Sequence, residues 1–146
     1  MGTSYNDIIS LALHSIQDYK LDILYQRSFD DWMQHLALFM IRGLDRFDNC
    51  KVDLSKRDDT LMEFESELSM IEQGIIADYT ALMWLDKEML DVRQITGMLQ
   101  NGREANRFSE ANLMNAKSVM RRNIISDIDT KQVHYSLKNM NSSWFD

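Results

Sequence analysis

Proline is absent from the 146 residues, and cysteine occurs only once. Because proline averages about 5% of residues in proteins, its absence excludes proline turns and favours helices joined by short loops. One cysteine cannot form an intramolecular disulfide, which argues against a secreted disulfide scaffold. The richest apolar run covers residues 36–41. It is much shorter than the roughly 18 apolar residues of a membrane span, so we expect no membrane segment.

Positive charge is also scarce. The chain has 16 Lys and Arg residues and 23 Asp and Glu residues, which gives a net charge of −7. This balance argues against a protein that wraps DNA or coats an anionic membrane through a general basic surface. The first residues carry neither the basic nor the apolar segment of a signal peptide, so we expect no signal peptide.

The apolar spacing predicts an all-α fold with about four main helices in a compact bundle and an extended C-terminal tail. Hydrophobic residues make up 45% of the chain, which is enough for one core. Good caps precede the first two helices, at Thr3 or Ser4 and at Ser28. The predicted helices cover about residues 4–18, 28–47 and 109–129, and another begins near residue 69, with an end that stays open and extends at most to residues 101–102. Residues 19–27 fit a loop, a helical turn or a docked extended piece.

The second helix has apolar residues on more than one side, so we expect it to be central. Gly43 costs this helix roughly 1 kcal/mol of propensity relative to Ala. Two explanations are open: a neighbouring helix approaches closely at Gly43, or the helix hinges there. Next, residues 48–60 are predicted as a loop, and residues 61–68 as a short helix with a solvated acidic face.

The charges are unevenly distributed. Residues 53–72 hold seven acids and two bases, whereas residues 103–146 hold seven bases and five acids. Near the end of the chain the spacing of apolar residues changes from helical to alternating, because Val133, Tyr135 and Leu137 alternate with polar residues as in a strand. We therefore divide the chain into a helical domain, residues 1–130, and an extended interaction tail, residues 131–146.

The sequence does not match the usual patterns of catalytic and cofactor sites. There is no Glu-x-x-His for a di-iron centre, no phosphate-binding glycine loop and no Gly-x-Ser-x-Gly elbow. Residues 53–59 lack the spacing of a calcium loop. Asp31 and His35 lie one helical turn apart, which is more typical of a surface pair than of a metal site. Cys50 has no patterned base and is best explained as a small apolar residue. We predict no enzymatic activity, no cofactor and no metal.

Two classes of function remain to be considered, nucleic-acid binding and protein binding. A modest basic patch could involve Arg103, Arg107, Lys117, Arg121 and Arg122, although solvated side chains, or salt bridges to the acidic middle, explain these residues better. For protein binding, opposite charges on separate faces favour head-to-tail contacts, which generate rings when the rotation closes. The tail adds an apolar set that either binds a partner or folds back over the core: Val133, Tyr135, Leu137, Trp144 and Phe145.

Several segments together resemble the small helical head–tail connector proteins, also called adaptor or neck proteins, of tailed bacteriophages. The most specific is residues 46–59, Arg-Phe-Asp-Asn-Cys-Lys-Val-Asp-Leu-Ser-Lys-Arg-Asp-Asp. Shorter likenesses extend over nearly the whole chain: Tyr5-Asn-Asp-Ile-Ile, Phe64, Leu68, Ile75 to Trp84-Leu85, and Phe108-Ser-Glu-Ala-Asn-Leu.

The resemblance implies a structural virion protein, made in the bacterial cytoplasm and located in the neck. It would form a homo-oligomeric ring of twelve copies between the portal protein and the tail or a second neck protein. DNA would pass through without sequence-specific binding. We hypothesise that some of Asp58, Asp59, Glu63 and Glu67 line that channel, where they repel phosphates, or face the neighbouring subunit. The alternative is a non-enzymatic helical regulator that binds another protein in the infected cell.

Overall fold

The computed structural model describes residues 2–14, 16, 26–98 and 104–144. This part of the chain holds four helices, and its strands form one small antiparallel pair. In chain order the elements are α1 (Tyr5–Leu13), α2 (Phe29–Leu44), β1 (Arg57–Asp58), β2 (Glu63–Phe64), α3 (Met70–Met98) and α4 (Glu104–Trp144). The all-α class and the four-helix arrangement are therefore confirmed.

Serine caps define the starts of the first two helices. The Ser4 hydroxyl accepts a hydrogen bond from the Asn6 N–H, and the Ser28 hydroxyl accepts one from the Asp31 N–H. Each bond satisfies a backbone donor that the first turn of a helix leaves free. Helix α1 ends at Leu13, earlier than predicted, and most of residues 19–27 lie outside the described residues.

Helix α3 is the centre of the bundle, a position that we expected α2 to hold. It packs against α1, α2 and α4, and Ile75, Ile76 and Leu85 on it are fully buried. Its apolar residues are not confined to one face, which is typical of a helix with neighbours around it. Helix α2 adds Leu36 and Met40 to the same core.

Ion pairs fix how α4 lies along α3. Among the described side chains, three pairs join an acid of α3 to a base of α4: Asp78 to Lys131 at 2.7 Å, Asp86 to Arg121 at 2.8 Å, and Glu88 to Lys117 at 3.9 Å. Later residues of α3 pair with earlier residues of α4, so the helices are antiparallel. Two members of the predicted basic patch, Lys117 and Arg121, are thus engaged within the chain.

The hairpin formed by β1 and β2 replaces the helix predicted over residues 61–68. Backbone bonds from the distant N-terminus explain the difference, because the Phe64 N–H donates to the Thr3 carbonyl at 2.8 Å and the Tyr5 N–H donates to the Met62 carbonyl at 2.9 Å. Met62 takes a left-handed conformation, with φ of 56°, which turns the chain and ends any helical path. The apolar spacing was therefore a misleading signal here.

The extended conformation predicted for the tail is wrong, because α4 continues as one helix to Trp144. Val133 and Leu137 are four residues apart and share a face of the helix. Tyr135, which follows Val133 by two residues, is rotated from it by about 200° and joins the buried side with Ile128. The alternation that resembled a strand therefore comes from apolar residues on two opposite faces of one helix.

Gly43 allows α2 and α3 to approach closely, as one of the two sequence explanations proposed. A Cβ atom at this position would lie 2.9 Å from the Tyr79 Cβ and 3.2 Å from the Tyr79 carbonyl carbon. Backbone atoms cannot move aside as the end of a flexible side chain can. The missing side chain is therefore required by packing between the two helices.

We predict that Gly43→Ala lowers the free energy of unfolding by about 1–3 kcal/mol, because overpacking outweighs the gain in helix propensity. Gly74→Ala on α3 is the matched control. Its Cβ would meet only the flexible Lys131 side chain, at 3.8 Å or more, so this variant should gain about 0.5–1 kcal/mol. Urea unfolding of both variants measures the difference, and equal effects would contradict the close-approach explanation.

Candidate interaction surfaces

A buried polar cluster centred on Glu72 joins three parts of the fold. The Glu72 carboxylate accepts hydrogen bonds from the Tyr135 hydroxyl at 2.8 Å and from the Ser69 N–H at 2.9 Å. Ser69 and Glu72 form a capping box, since the Ser69 hydroxyl in turn accepts from the Glu72 N–H at 3.3 Å. The Cys50 thiol donates to the same carboxylate at 3.6 Å. The cluster therefore connects the start of α3 to the preceding loop and to α4.

The electrostatics of the cluster are those of a structural site. Burial alone would raise the pKa of Glu72, but hydrogen bonds from the Ser69 N–H and the Tyr135 hydroxyl lower it below its ordinary value. Burial raises the pKa of the Cys50 thiol, and the neighbouring Glu72 charge acts in the same direction. A thiol that resists ionisation is a poor nucleophile, which fits the structural interpretation of Cys50.

Tyr135 lies inside this cluster and is removed from the predicted partner interface. It is 3% exposed, and its ring packs edge-on against Phe47 with centroids 5.4 Å apart. Its hydroxyl also accepts from the Lys51 N–H at 2.8 Å. Burial, with the Glu72 carboxylate, raises the pKa of Tyr135 to about 12. For this residue, folding back over the core was the correct alternative.

Val133 and Leu137 lie on the opposite face of α4, where they are 58% and 51% exposed. Met140 continues the row and is 52% exposed, and we call these three residues the apolar stripe. Trp144, also predicted as a contact, is the last residue of α4. Phe145, also predicted as a contact, lies outside the described residues. The sequence interpretation missed Met140 because its spacing is meaningful only on a helix.

Of the four acids predicted to line a channel or face a neighbouring subunit, two make contacts within the hairpin region and two are exposed to solvent. Asp58 accepts hydrogen bonds from the Thr60 and Leu61 N–H groups at 2.8 and 3.0 Å, and so holds the hairpin turn. Asp59 accepts from the Tyr5 hydroxyl at 2.6 Å, which is the main reason that its pKa is lowered. Glu63 and Glu67 are exposed. The structure therefore gives Asp58 and Asp59 structural contacts and leaves Glu63 and Glu67 facing solvent.

A groove runs between α3 and α4 near the middle of their contact, and no sequence pattern indicated it. Its volume is about 570 Å³. The lining combines apolar and charged side chains: Asp86, Met89, Leu90, Ser118, Arg121 and Arg122. We call it the α3–α4 groove. The groove exists only once α3 and α4 have packed together, because its lining residues come from both helices.

Within the described ranges, no group of three or more His, Cys, Asp or Glu side chains is placed to hold a metal ion. The same ranges contain no buried side-chain nitrogen or oxygen that lacks a hydrogen-bond partner. No described helix combines the length and the apolar character needed to cross a membrane. The described residues present at least three candidate surfaces: the apolar stripe, the α3–α4 groove, and residues 57–67 with the exposed Glu63 and Glu67 carboxylates, which we call the acidic hairpin.

We predict that Tyr135→Phe lowers the free energy of unfolding by about 1–3 kcal/mol, because the Lys51 N–H loses its acceptor and Glu72 loses a donor. The hydroxyl helps to lower the pKa of Glu72 below its ordinary 4.5. A lowered carboxylate pKa adds stability above the unfolded pKa, and this stability is lost as the pH falls through the folded pKa. The difference between wild type and variant should therefore be largest above pH 4.5 and should shrink on acidification.

Tyr79→Phe is the matched control for this measurement. Its hydroxyl accepts from the neutral Gln132 side chain at 2.6 Å, so the stability difference that it causes should not change in the same acidic range. Denaturant unfolding across a pH series measures both variants. A Tyr135→Phe effect that is independent of pH would contradict the charge-assisted bond to Glu72.

Comparison with known proteins gives no match, whether to family models, to curated proteins or to solved structures.

Proposed function

We propose that this chain is a structural, non-enzymatic subunit of the neck of a tailed bacteriophage. It would join the portal and capsid to the tail or a second neck protein, in a homo-oligomeric ring around the DNA channel. The resemblance of residues 46–59 to head–tail connector proteins suggests this role, and one structural observation carries it: the exposed apolar stripe on α4.

The apolar stripe has the form of a helix that docks into a groove. Its members recur at positions i, i+4 and i+7, the spacing by which amphipathic helices anchor in apolar grooves. The opposite face of the same helix is already used, because Tyr135 and Ile128 are buried against the bundle. A partner can therefore cover the stripe without unfolding the subunit. Covering it would remove apolar side chains from water, which favours association.

The acidic hairpin supports the same proposal. Glu63 and Glu67 project from a compact acidic region of a chain whose net charge is already −7. Carboxylates that face a channel would repel the phosphates of DNA and allow the duplex to slide. We propose that Glu63 and Glu67 line the channel or face the neighbouring subunit. Asp58 and Asp59 would keep the hairpin in shape for either role.

The apolar stripe would equally serve a helical regulator that binds another protein in the infected cell. The two proposals differ in the protein that covers the stripe. In the first it belongs to the portal or tail and forms part of the virion. In the second it is a protein of the infected cell, and no virion would contain the chain.

We predict that Val133→Gln combined with Leu137→Gln weakens co-sedimentation with a portal ring about tenfold or more, because the anchors of the docking face are lost. Both positions are exposed, so the circular dichroism spectrum should stay that of the wild type. Leu38→Gln on α2 is the matched control, since Leu38 is 62% exposed and lies outside the stripe. It should bind normally.

Wild-type chain that never associates with portal or tail would contradict the connector proposal. If the double variant then lost binding to a protein of the infected cell, the regulator would be the better explanation. Unchanged portal binding by the double variant would show that the stripe is not the docking face.

A further inference from the structure

We propose that the α3–α4 groove receives the tip of the acidic hairpin from a second copy of this chain. This contact rests on the proposed ring and specifies how neighbouring subunits would meet. It would join two different surfaces, the groove of one subunit and the hairpin of the next.

The α3–α4 groove offers an apolar floor with a basic rim. Met89 is buried at its base, and Leu90 is 53% exposed beside it. Arg121 uses its Nε to donate to Asp86 at 2.8 Å, which leaves its other guanidinium N–H groups for a further acceptor. Arg122 is exposed at the edge. The groove therefore suits an apolar side chain flanked by carboxylates.

The tip of the hairpin has that chemistry. Leu61 is 67% exposed in the turn between β1 and β2, an unusual position for a large apolar residue. Carboxylates flank it in sequence: Asp58 and Asp59 come before it, with Asp59 paired to Arg57 at 3.1 Å, and the exposed Glu63 comes after it. Because hydrogen bonds to Asp58 already order the turn, little conformational entropy would be lost on docking.

The contact has to be intermolecular. The hairpin is held beside the first turn of α3, where the Leu68 N–H donates to the Thr3 hydroxyl at 2.8 Å and the Gln73 side chain donates to the Leu68 carbonyl at 2.9 Å. The α3–α4 groove lies about five turns further along α3, roughly 27 Å away along the axis. A subunit therefore presents the tip at one end and the groove near its middle.

Charge also favours a second copy as the occupant. Two chains of net charge −7 repel each other unless their contact brings opposite signs together. An acidic tip against Arg121 and Arg122 meets this condition. The contact is head-to-tail, so successive copies form a ring if the rotation closes. Because the charges lie at the surface, added salt should weaken the association.

Cysteine cross-linking tests the contact between the hairpin tip of one copy and the α3–α4 groove of another. The experiment is done first with this chain alone and then in the presence of a portal ring. In a Cys50→Ser background, one preparation carries Leu61→Cys and a second carries Leu90→Cys. Mixing them under oxidising conditions should give a cross-linked dimer that neither forms alone. Leu38→Cys replaces Leu61→Cys in the control, because it is similarly exposed on another helix. Cross-linking no greater than this control, in both settings, would overturn the proposal.

Charge reversal gives an independent readout in sedimentation. Glu63→Lys and Arg122→Glu should each weaken self-association about tenfold or more, because each places like charges together. A chain that carries both changes should recover much of the loss. Arg42→Glu, at an exposed position on α2, is the matched control and should have a smaller effect. Two additive losses without recovery would count against the pairing.

The two proposals fail separately. Loss of the specific cross-link with normal portal binding would remove only the groove contact. A specific cross-link in a chain that never binds portal or tail would keep the contact and remove the connector function.

Discussion

The hydrogen bond from Tyr135 to the buried Glu72 carboxylate is the interaction on which the arrangement of surfaces depends. Glu72 caps α3, receives the Cys50 thiol from the loop and fixes the rotation of α4 through Tyr135. Once Tyr135 points inward, Val133 and Leu137 must point outward, because they lie on the other side of the same helix. One buried carboxylate thus determines which residues of α4 are available to a partner.

The ion pairs between α3 and α4 determine how the two helices are aligned along each other, and they contribute little to the free energy of unfolding. Two of the three pairs are substantially exposed on at least one side, and such pairs typically contribute about 1 kcal/mol or less. Burial raises the pKa of Asp78, and the nearby Lys131 ammonium offsets part of that shift. Three α4 bases lie against α3, while the exposed Glu63 and Glu67 carboxylates lie in and beside the hairpin. Arg122, which is exposed beside these pairs, and the exposed Glu63 and Glu67 thus lie on separate parts of one subunit.

The local features of this fold could be predicted from the sequence, and the long-range ones could not. Ser4 and Ser28 act as caps through neighbouring N–H groups, and Gly43 indicated either a close helix contact or a hinge, of which the structure shows the close contact. The hairpin depends on bonds between Thr3 and Phe64, 61 residues apart, which no local pattern encodes. The end of α4 was predicted as extended because apolar residues lie on two opposite sides of one helix, Tyr135 on the buried side and Val133 on the exposed side, and this imitates the alternation of a strand. The α3–α4 groove is created by packing alone.

The most direct measurement is amide hydrogen exchange at Lys51, whose N–H donates to the Tyr135 hydroxyl at 2.8 Å. A loop amide open to water exchanges quickly, whereas one bonded inside a core opens only with local or global unfolding. If Glu72 and Tyr135 fix the rotation of α4, the Lys51 amide should be strongly protected in the wild type and should lose protection in Tyr135→Phe. Rapid exchange at Lys51 in the wild-type chain would contradict the inward position of Tyr135 and, with it, the outward position of the apolar stripe.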